Sequence, residues 1–198
     1  QFFHWGLIPS WTKNSEKADE IQNFTLNART ETIFSKPSFK NQIKQKRCLI
    51  LCSGFYEWQT RKQGNKKVKY PYFISLKDDQ MFVFAGIWDS WTDKETGEIK
   101  NTFSLLTTEA NELMSEIHND KKRMPLMLKP EHAKKWLRND LKENEIREFF
   151  KPFDSNQLKA HTISKLITAK GAEINIPEIQ AYYPYSELLD EMKSQKLF

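Results

Sequence analysis

Three short polar runs interrupt otherwise apolar stretches of this 198-residue chain, and each carries side chains able to do chemistry. The first is Asn27-Ala28-Arg29-Thr30-Glu31. If extended, it puts Asn27, Arg29 and Glu31 on one face. An amide there can hold a reacting group beside a guanidinium that binds phosphate or carboxylate; a solvated strand edge has the same composition. The second is Gly54-Phe55-Tyr56-Glu57-Trp58. Strand parity places Glu57 with Leu49, Leu51 and Phe55. A carboxyl on an apolar face has a raised pKa, because desolvation disfavours its charged form, and that suits a general acid or base. A bulge at Gly54 would flip the parity and solvate Glu57. Trp58 fits a core position or, beside a basic turn, a platform on which a base of single-stranded nucleic acid stacks. The third run is Glu116-Ile117-His118-Asn119-Asp120-Lys121-Lys122-Arg123-Met124-Pro125. His118 ends a helix there, where it is either a proton carrier or a cation complementing the helix C-terminus. No Gly-rich phosphate loop, HExxH or G-x-S-x-G occurs.

Positioning these side chains takes a sheet. Residues 47–58 read as one long strand, apolar on both faces and therefore central. A basic turn over 61–69 surrounds Gly64-Asn65. Strands over 70–76 and 81–88 are joined at Asp78-Asp79 as a hairpin, and another strand spans 102–107. Residues 23–32 read as extended or looped. Ala110, Leu113, Met114 and Ile117 form one helical stripe, with Thr107 or Thr108 as its cap. Pro130 suits the first turn of a second helix, whose apolar face is Ala133, Trp136, Leu137 and Leu141. A third, short helix carries Ile146, Phe149 and Phe150. A strand is expected at 160–163, and a terminal helix with Ser186 as cap and Leu188, Leu189 and Met192 on its apolar face. Strands come first and helices later, without βαβ alternation, which predicts an α+β fold.

The length suits a single domain spanning 1–198. Hydrophobic residues at 38% and aromatics at 13% exclude a disordered chain. The longest apolar run, 81–88, falls far short of the roughly 18 residues of a membrane span. Lys and Arg total 31 against 26 Asp and Glu, a net +5 that is compatible with a polyanion partner. Cys48 and Cys52 on one strand would stand about 13 Å apart, too far for a disulfide. They read as buried thiols of a reducing, cytoplasmic protein. The chain opens on an apolar, strand-like segment, as though an N-terminal piece preceded it.

Read in order, these runs carry a family likeness. Trp5-Gly6-Leu7-Ile8-Pro9-Ser10-Trp11, Asn27-Ala28-Arg29-Thr30-Glu31-Thr32, Arg47-Cys48-Leu49-Ile50 leading to Gly54-Phe55-Tyr56-Glu57-Trp58, Phe84-Ala85-Gly86-Ile87-Trp88, and Ile117-His118 leading to Arg123-Met124-Pro125 resemble the SRAP family of abasic-site processing proteins. His161-Thr162-Ile163-Ser164 is a looser match. The resemblance implies an α+β fold with a central, mostly antiparallel, barrel-like sheet flanked by helices. It implies binding of abasic sites in single-stranded DNA. There an N-terminal Cys, exposed by loss of the initiator Met, adds its amine and thiol to the sugar aldehyde and closes a thiazolidine that shields the lesion. Residue by residue, Asn27 matches the Asn that holds that Cys, and Glu57 and His118 match the residues that move protons. Arg29 and Arg123 match phosphate contacts, Trp58 a stacking aromatic, and Trp5 is a second DNA contact or a core residue.

No metal or organic cofactor is implied, and the expected protein is a monomer, away from membranes and on the nucleoid when bound to DNA. The family's opening Met-Cys-Gly-Arg is absent from the sequence, and neither Cys48 nor Cys52 has a free α-amine, so this chain alone is expected not to crosslink. The loop of Asn119, Asp120, Lys121 and Lys122 is longer than the family's tightest form. Two other readings remain open: a non-catalytic single-stranded DNA-binding module, carried by the charge of 61–69 and the aromatics, and a peptidase acting on other proteins.

Overall fold

Buried residues alternate with half-exposed ones along Ile99–Glu109, as in a strand with one face on a core, while Phe82–Thr92 buries four consecutive residues, 84–87, and alternates beyond them. These two strands pair antiparallel, from Gly86 opposite Leu105 to Thr92 opposite Ile99. The computed structural model describes residues 2–188. In chain order its elements are β1 (His4–Trp5), α1 (Ser15–Phe24), β2 (Asn27–Arg29), α2 (Gln42–Gln45), β3 (Arg47–Cys52), β4 (Phe55–Gln63), β5 (Lys66–Leu76), β6 (Phe82–Thr92), β7 (Ile99–Glu109), α3 (Glu112–Ile117), β8 (Arg123–Pro125), β9 (Met127–Leu128), α4 (Pro130–Trp136), α5 (Glu143–Arg147) and β10 (Leu158–Thr162). This is the expected α+β composition.

The chain divides into two compact units, neither continuous in sequence. The first is built from the chain up to Cys52, Met81–Asn111 and Arg123–Phe153. Its sheet runs β1-β7-β6-β3, with β2 and β8 also on β7 and β9 on β6. β1 and β2 lie parallel to β7, and the other pairs are antiparallel. Leu7, Ala28, Ile33, Ile43, Ile87, Leu106 and Trp136 fill its core. Arg47, 6% exposed, is committed to this interior. Its guanidinium donates to the carbonyls of Trp136 (2.7 Å), Ile43 (2.6 Å), Lys44 (2.8 Å) and Arg138. Four carbonyls without strand partners are thereby satisfied by one side chain.

The second unit comprises Ser53–Gln80, Glu112–Lys122 and the chain from Asp154 onward. Its sheet is β10-β5-β4, antiparallel throughout. β4 and β5 stay in register from Phe55 opposite Ile74 to Gln63 opposite Lys66, closed by Gly64-Asn65. Gly64 sits at φ +56°, in the left-handed region that glycine occupies without steric cost.

Several expectations are corrected. The single strand over 47–58 is two strands in two sheets, broken at Ser53-Gly54. Among the described residues β3 is an edge strand whose one partner is β6, rather than central. The barrel-like closure implied by the resemblance is not formed, because the chain leaves β3 for the other sheet and the larger sheet stays open. Residues 70–76 and 81–88 do not form a hairpin: β5 takes β4 and β10 as partners, and β6 takes β3, β7 and β9. Thr107 and Thr108 lie within β7, so they cap nothing, and α3 starts later, at Glu112. Residues 23–32 hold the end of α1 as well as β2. The helices around Pro130 and Ile146 and the strand near 160 are present. Leu189 and Met192, expected on a terminal helix, lie outside the described residues.

The break ahead of β4 depends on Gly54. A Cβ there would collide with the ring of Phe73 and come within 2.9 Å of the Ile74 carbonyl oxygen. Gly54→Ala is expected to cost about 1–3 kcal/mol through overpacking, read as a lower urea midpoint at unchanged m. An unchanged midpoint would show that the strand start does not need the space.

Candidate active site

Glu57 and His118 come together in the second unit. Their nearest atoms, Glu57 Oε1 and His118 Nδ1, are 3.5 Å apart, and the side chains are only 22% and 20% exposed. That is ion-pairing range but longer than a good hydrogen bond. Burial raises the Glu57 pKa above the ordinary carboxylate value. The His118 charge, a backbone N–H and Lys121 act the other way without cancelling the rise. Glu57 owes its burial to the face it shares with Gln59 on β4 and Tyr72 on β5, not to parity with Leu49 and Leu51, which belong to another strand and sheet.

A small polar clamp fixes the pair. β4 is the edge of its sheet, so the outer backbone groups of Thr60 need partners. The Asn119 side chain supplies both: Oδ1 accepts from the Thr60 N–H at 3.0 Å, and Nδ2 donates to the Thr60 carbonyl at 2.8 Å. The Thr60 hydroxyl donates to Asp120 at 2.7 Å. Buried Gln59 donates to the Glu116 carbonyl at 2.8 Å and accepts from Tyr72 and Arg61. The turn after α3 closes on itself, with the His118 N–H on the Met114 carbonyl and the Lys122 N–H on the His118 carbonyl, both at 2.7 Å. Lys122 adopts φ +49° there, a left-handed conformation uncommon outside glycine. His118 is therefore held from both chain neighbours' sides and from β4.

The other candidates lie in the first unit, apart from Trp58, which is half-buried on β4 beside Glu57. On β2, Asn27 and Arg29 are exposed while Ala28 between them is buried. This is the alternation expected, imposed by parallel pairing to Leu105, Leu106 and Thr107. Glu31 lies past the end of β2, in a turn. Asn27 and Arg29 line an open pocket of about 490 Å³ with Phe24, Thr32 and Lys36 among its other walls. Arg123 forks onto Glu31 at 2.5 and 3.0 Å and also donates to the Thr107 carbonyl at 2.6 Å. Its guanidinium thus already faces a carboxylate, which a phosphate would have to displace or share. Glu31 keeps a lowered pKa in spite of partial burial, through Arg123 and Arg29. Trp5, 51% exposed, stacks on Phe103 and donates its indole N–H to the Leu26 carbonyl at 2.7 Å. Its ring is both surface and structural.

Sequence reasoning missed Asn119, Gln59 and Thr60. The polar alternation Glu57, Gln59, Arg61 was a signal for one polar strand face; nothing local announced that Asn119 pairs with a strand edge. The thiols are unsuited to nucleophilic work: Cys48 and Cys52 are both free, and burial pushes the Cys48 thiol up to about 12. Among the described residues no group of three or more His, Cys, Asp and Glu could hold a metal ion, and no helix is long and apolar enough to cross a membrane.

Carbon-13 NMR of the Glu57 carboxyl should show it keeping its proton at a pH where exposed glutamates have lost theirs. His118→Ala should move that titration further upward, since a favourable charge is removed, and Asn119→Ala should move it in the same direction by loosening His118. An ordinary glutamate titration in all three proteins would contradict the geometry.

The comparisons with known proteins agree with one another. Residues 1–170 match the family described as SOS response associated peptidase (SRAP). The chain is 36% identical over 176 residues to abasic site processing protein YoqW of Bacillus subtilis, covering 88% of this chain and 73% of that one. It is 34% identical over 186 residues to abasic site processing protein HMCES of Gallus gallus, covering 83% of this chain and 52% of that one. The crystal structure of a protein from Bacteroides thetaiotaomicron superposes with a TM-score of 0.85 at 43% identity, covering 93% of this chain and 77% of that one. One from Bordetella bronchiseptica gives 0.71 at 27%, covering 82% and 76%. On the family match and these relatives together, the chain belongs to the SRAP family.

Proposed function

We propose that this chain processes abasic sites in single-stranded DNA by covalent capture, with Glu57 and His118 as its proton-transfer pair. The observation that carries the reading is that pair: a half-buried carboxyl of raised pKa, 3.5 Å from an imidazole. The ring-opened sugar is an aldehyde. An amine adds to it and water leaves, giving an imine; a thiol then adds across the C=N bond, its proton going to nitrogen, and closes a thiazolidine. The net reaction joins aldehyde, amine and thiol with loss of one water. Expelling hydroxide from the carbinolamine needs an acid, and a carboxyl whose pKa is raised by burial is suited to supply one. Forming the thiolate needs a base, and the His118 imidazole, 3.5 Å from Glu57, is the group assigned to it. The amine and thiol are those of an N-terminal cysteine, a role that neither Cys48 nor Cys52 can fill.

In this reading Asn27 orients that cysteine, Arg29 holds a phosphate beside the lesion, and Trp58 stacks on a neighbouring base. Arg123 meets the DNA only after exchanging part of its Glu31 contact, and Trp5 adds a second aromatic surface. Residues 1–198 act as one functional domain and as a monomer in the cytoplasm, since capturing one strand needs no symmetry. The relatives' printed names, abasic site processing protein, support the reaction class. A non-catalytic module remains the second reading, favoured by the charge of the β4–β5 hairpin alone.

Glu57→Gln in the full-length protein should slow adduct formation on abasic single-stranded DNA on the order of 100-fold and leave DNA affinity within about twofold of the parent. Equal loss of both would make Glu57 structural and overturn its assignment.

A further inference from the structure

The β4–β5 hairpin is strongly basic. Residues 61–69 contain Arg61, Lys62, Lys66, Lys67 and Lys69 and no acidic residue. Taking these five from 31 Lys and Arg leaves 26, equal to the 26 Asp and Glu. Residues 32–56 carry the same charge, with Lys36, Lys40, Lys44, Lys46 and Arg47 and no acid, so what distinguishes the hairpin is how its charges are arranged. Its arrangement is specific. Lys62 stands directly opposite Lys67, and Thr60 opposite Lys69. With the two-residue repeat of a strand, Trp58, Thr60, Lys62, Lys67 and Lys69 share one face of the hairpin. Arg61 lies on the other face, where it donates to Gln59.

A like-charge pair directly across a ladder is destabilising, and these lysines gain no compensating ion pair among the described residues. Asp120, on the Thr60 hydroxyl, is the acid that feels Lys67 and Lys69. All four lysines are exposed. A self-repelling row of ammonium groups starting at an aromatic ring matches the backbone of a nucleic acid strand, whose phosphates supply repeated negative charge while its bases supply π faces.

We propose that this face of the hairpin is a second DNA contact, along which the single strand runs from Trp58 toward the Gly64-Asn65 turn, its phosphates on Lys62, Lys67 and Lys69. The inference rests on the reading of Glu57 as the lesion site: Trp58 follows it in β4 but turns to the opposite face, so the DNA strand crosses the edge of β4 between the lesion and the lysines. From Glu57 to the hairpin end the strand extends roughly 20 Å, at about 3.4 Å per residue. That is enough for about three nucleotides on one side of the lesion, and the contact is sequence-independent.

The test measures affinity of the full-length protein for abasic single-stranded DNA by fluorescence anisotropy across a salt series, with the arm on each side of the lesion lengthened in turn. The parent should gain affinity when one particular arm grows to about three nucleotides and little from the other. Joint replacement Lys62→Gln, Lys67→Gln and Lys69→Gln should abolish that gain and reduce the salt slope by about 2, since each phosphate contact on a single strand accounts for roughly 0.7. Joint replacement by Arg should restore both, which separates lost charge from lost folding. An unchanged salt slope in the Gln variant would overturn the proposal, as would an affinity loss equal for the shortest and longest arms. Failure of adduct formation on the shortest lesion DNA would instead count against the Glu57 reading, with the slope and arm comparisons unaffected.

Discussion

The two hydrogen bonds between the Asn119 side chain and the backbone of Thr60 are the constraint on which the Glu57–His118 geometry depends. An edge strand exposes unpaired N–H and C=O groups, and here one amide side chain satisfies a donor and an acceptor together. The same contact ties the turn after α3 to β4, and that tie sets the distance between His118 and Glu57. Neither member of the pair is bonded tightly to the other. Their closeness comes from the scaffold rather than from a bond between them. A short, strong Glu57–His118 hydrogen bond would have spent the carboxyl's basicity and the imidazole's on each other.

Charge follows the same division of labour. Buried charges in the first unit are consumed by structure. Asp89, fully buried, accepts from Lys46, Gln42 and the Ser10 N–H, and Arg47 serves four carbonyls. Arg123 is largely spent on Glu31 and Thr107. Among the exposed cations are Arg29 with Lys36 around the pocket of the first unit, and the lysines of the β4–β5 hairpin. Structural charges are thus those with several bonds and little exposure, and the candidates for DNA contact are those with exposure and few bonds.

How much of this was legible in the sequence depends on the range of the interaction. Alternation exposed Asn27 and Arg29 on one face, and Gly64-Asn65 marked a tight turn, because both are local. Glu57 and His118 were singled out by residue type within apolar surroundings and by family likeness. The reason first given for Glu57's burial did not survive, since Gly54 ends one strand and starts another. α1 left little periodic signal because Ala18 is its one fully buried residue among those described, although Asn14 caps it. Edge or centre, hairpin or crossover, and closure of the sheet are decided by pairings between distant segments. Asn119 belongs to that class: its partner Thr60 is 59 residues away, and its neighbours read as an ordinary solvated basic loop.

The most direct test of the covalent reading is a denaturing gel of the full-length protein, as encoded, mixed with single-stranded DNA carrying one abasic site. The account predicts a protein–DNA species that survives heating, forms only with lesion DNA, and disappears when the N-terminal cysteine is replaced by alanine. Native-gel binding with no heat-stable species at any time would contradict it, and would leave a DNA-binding module whose Glu57–His118 pair serves another purpose.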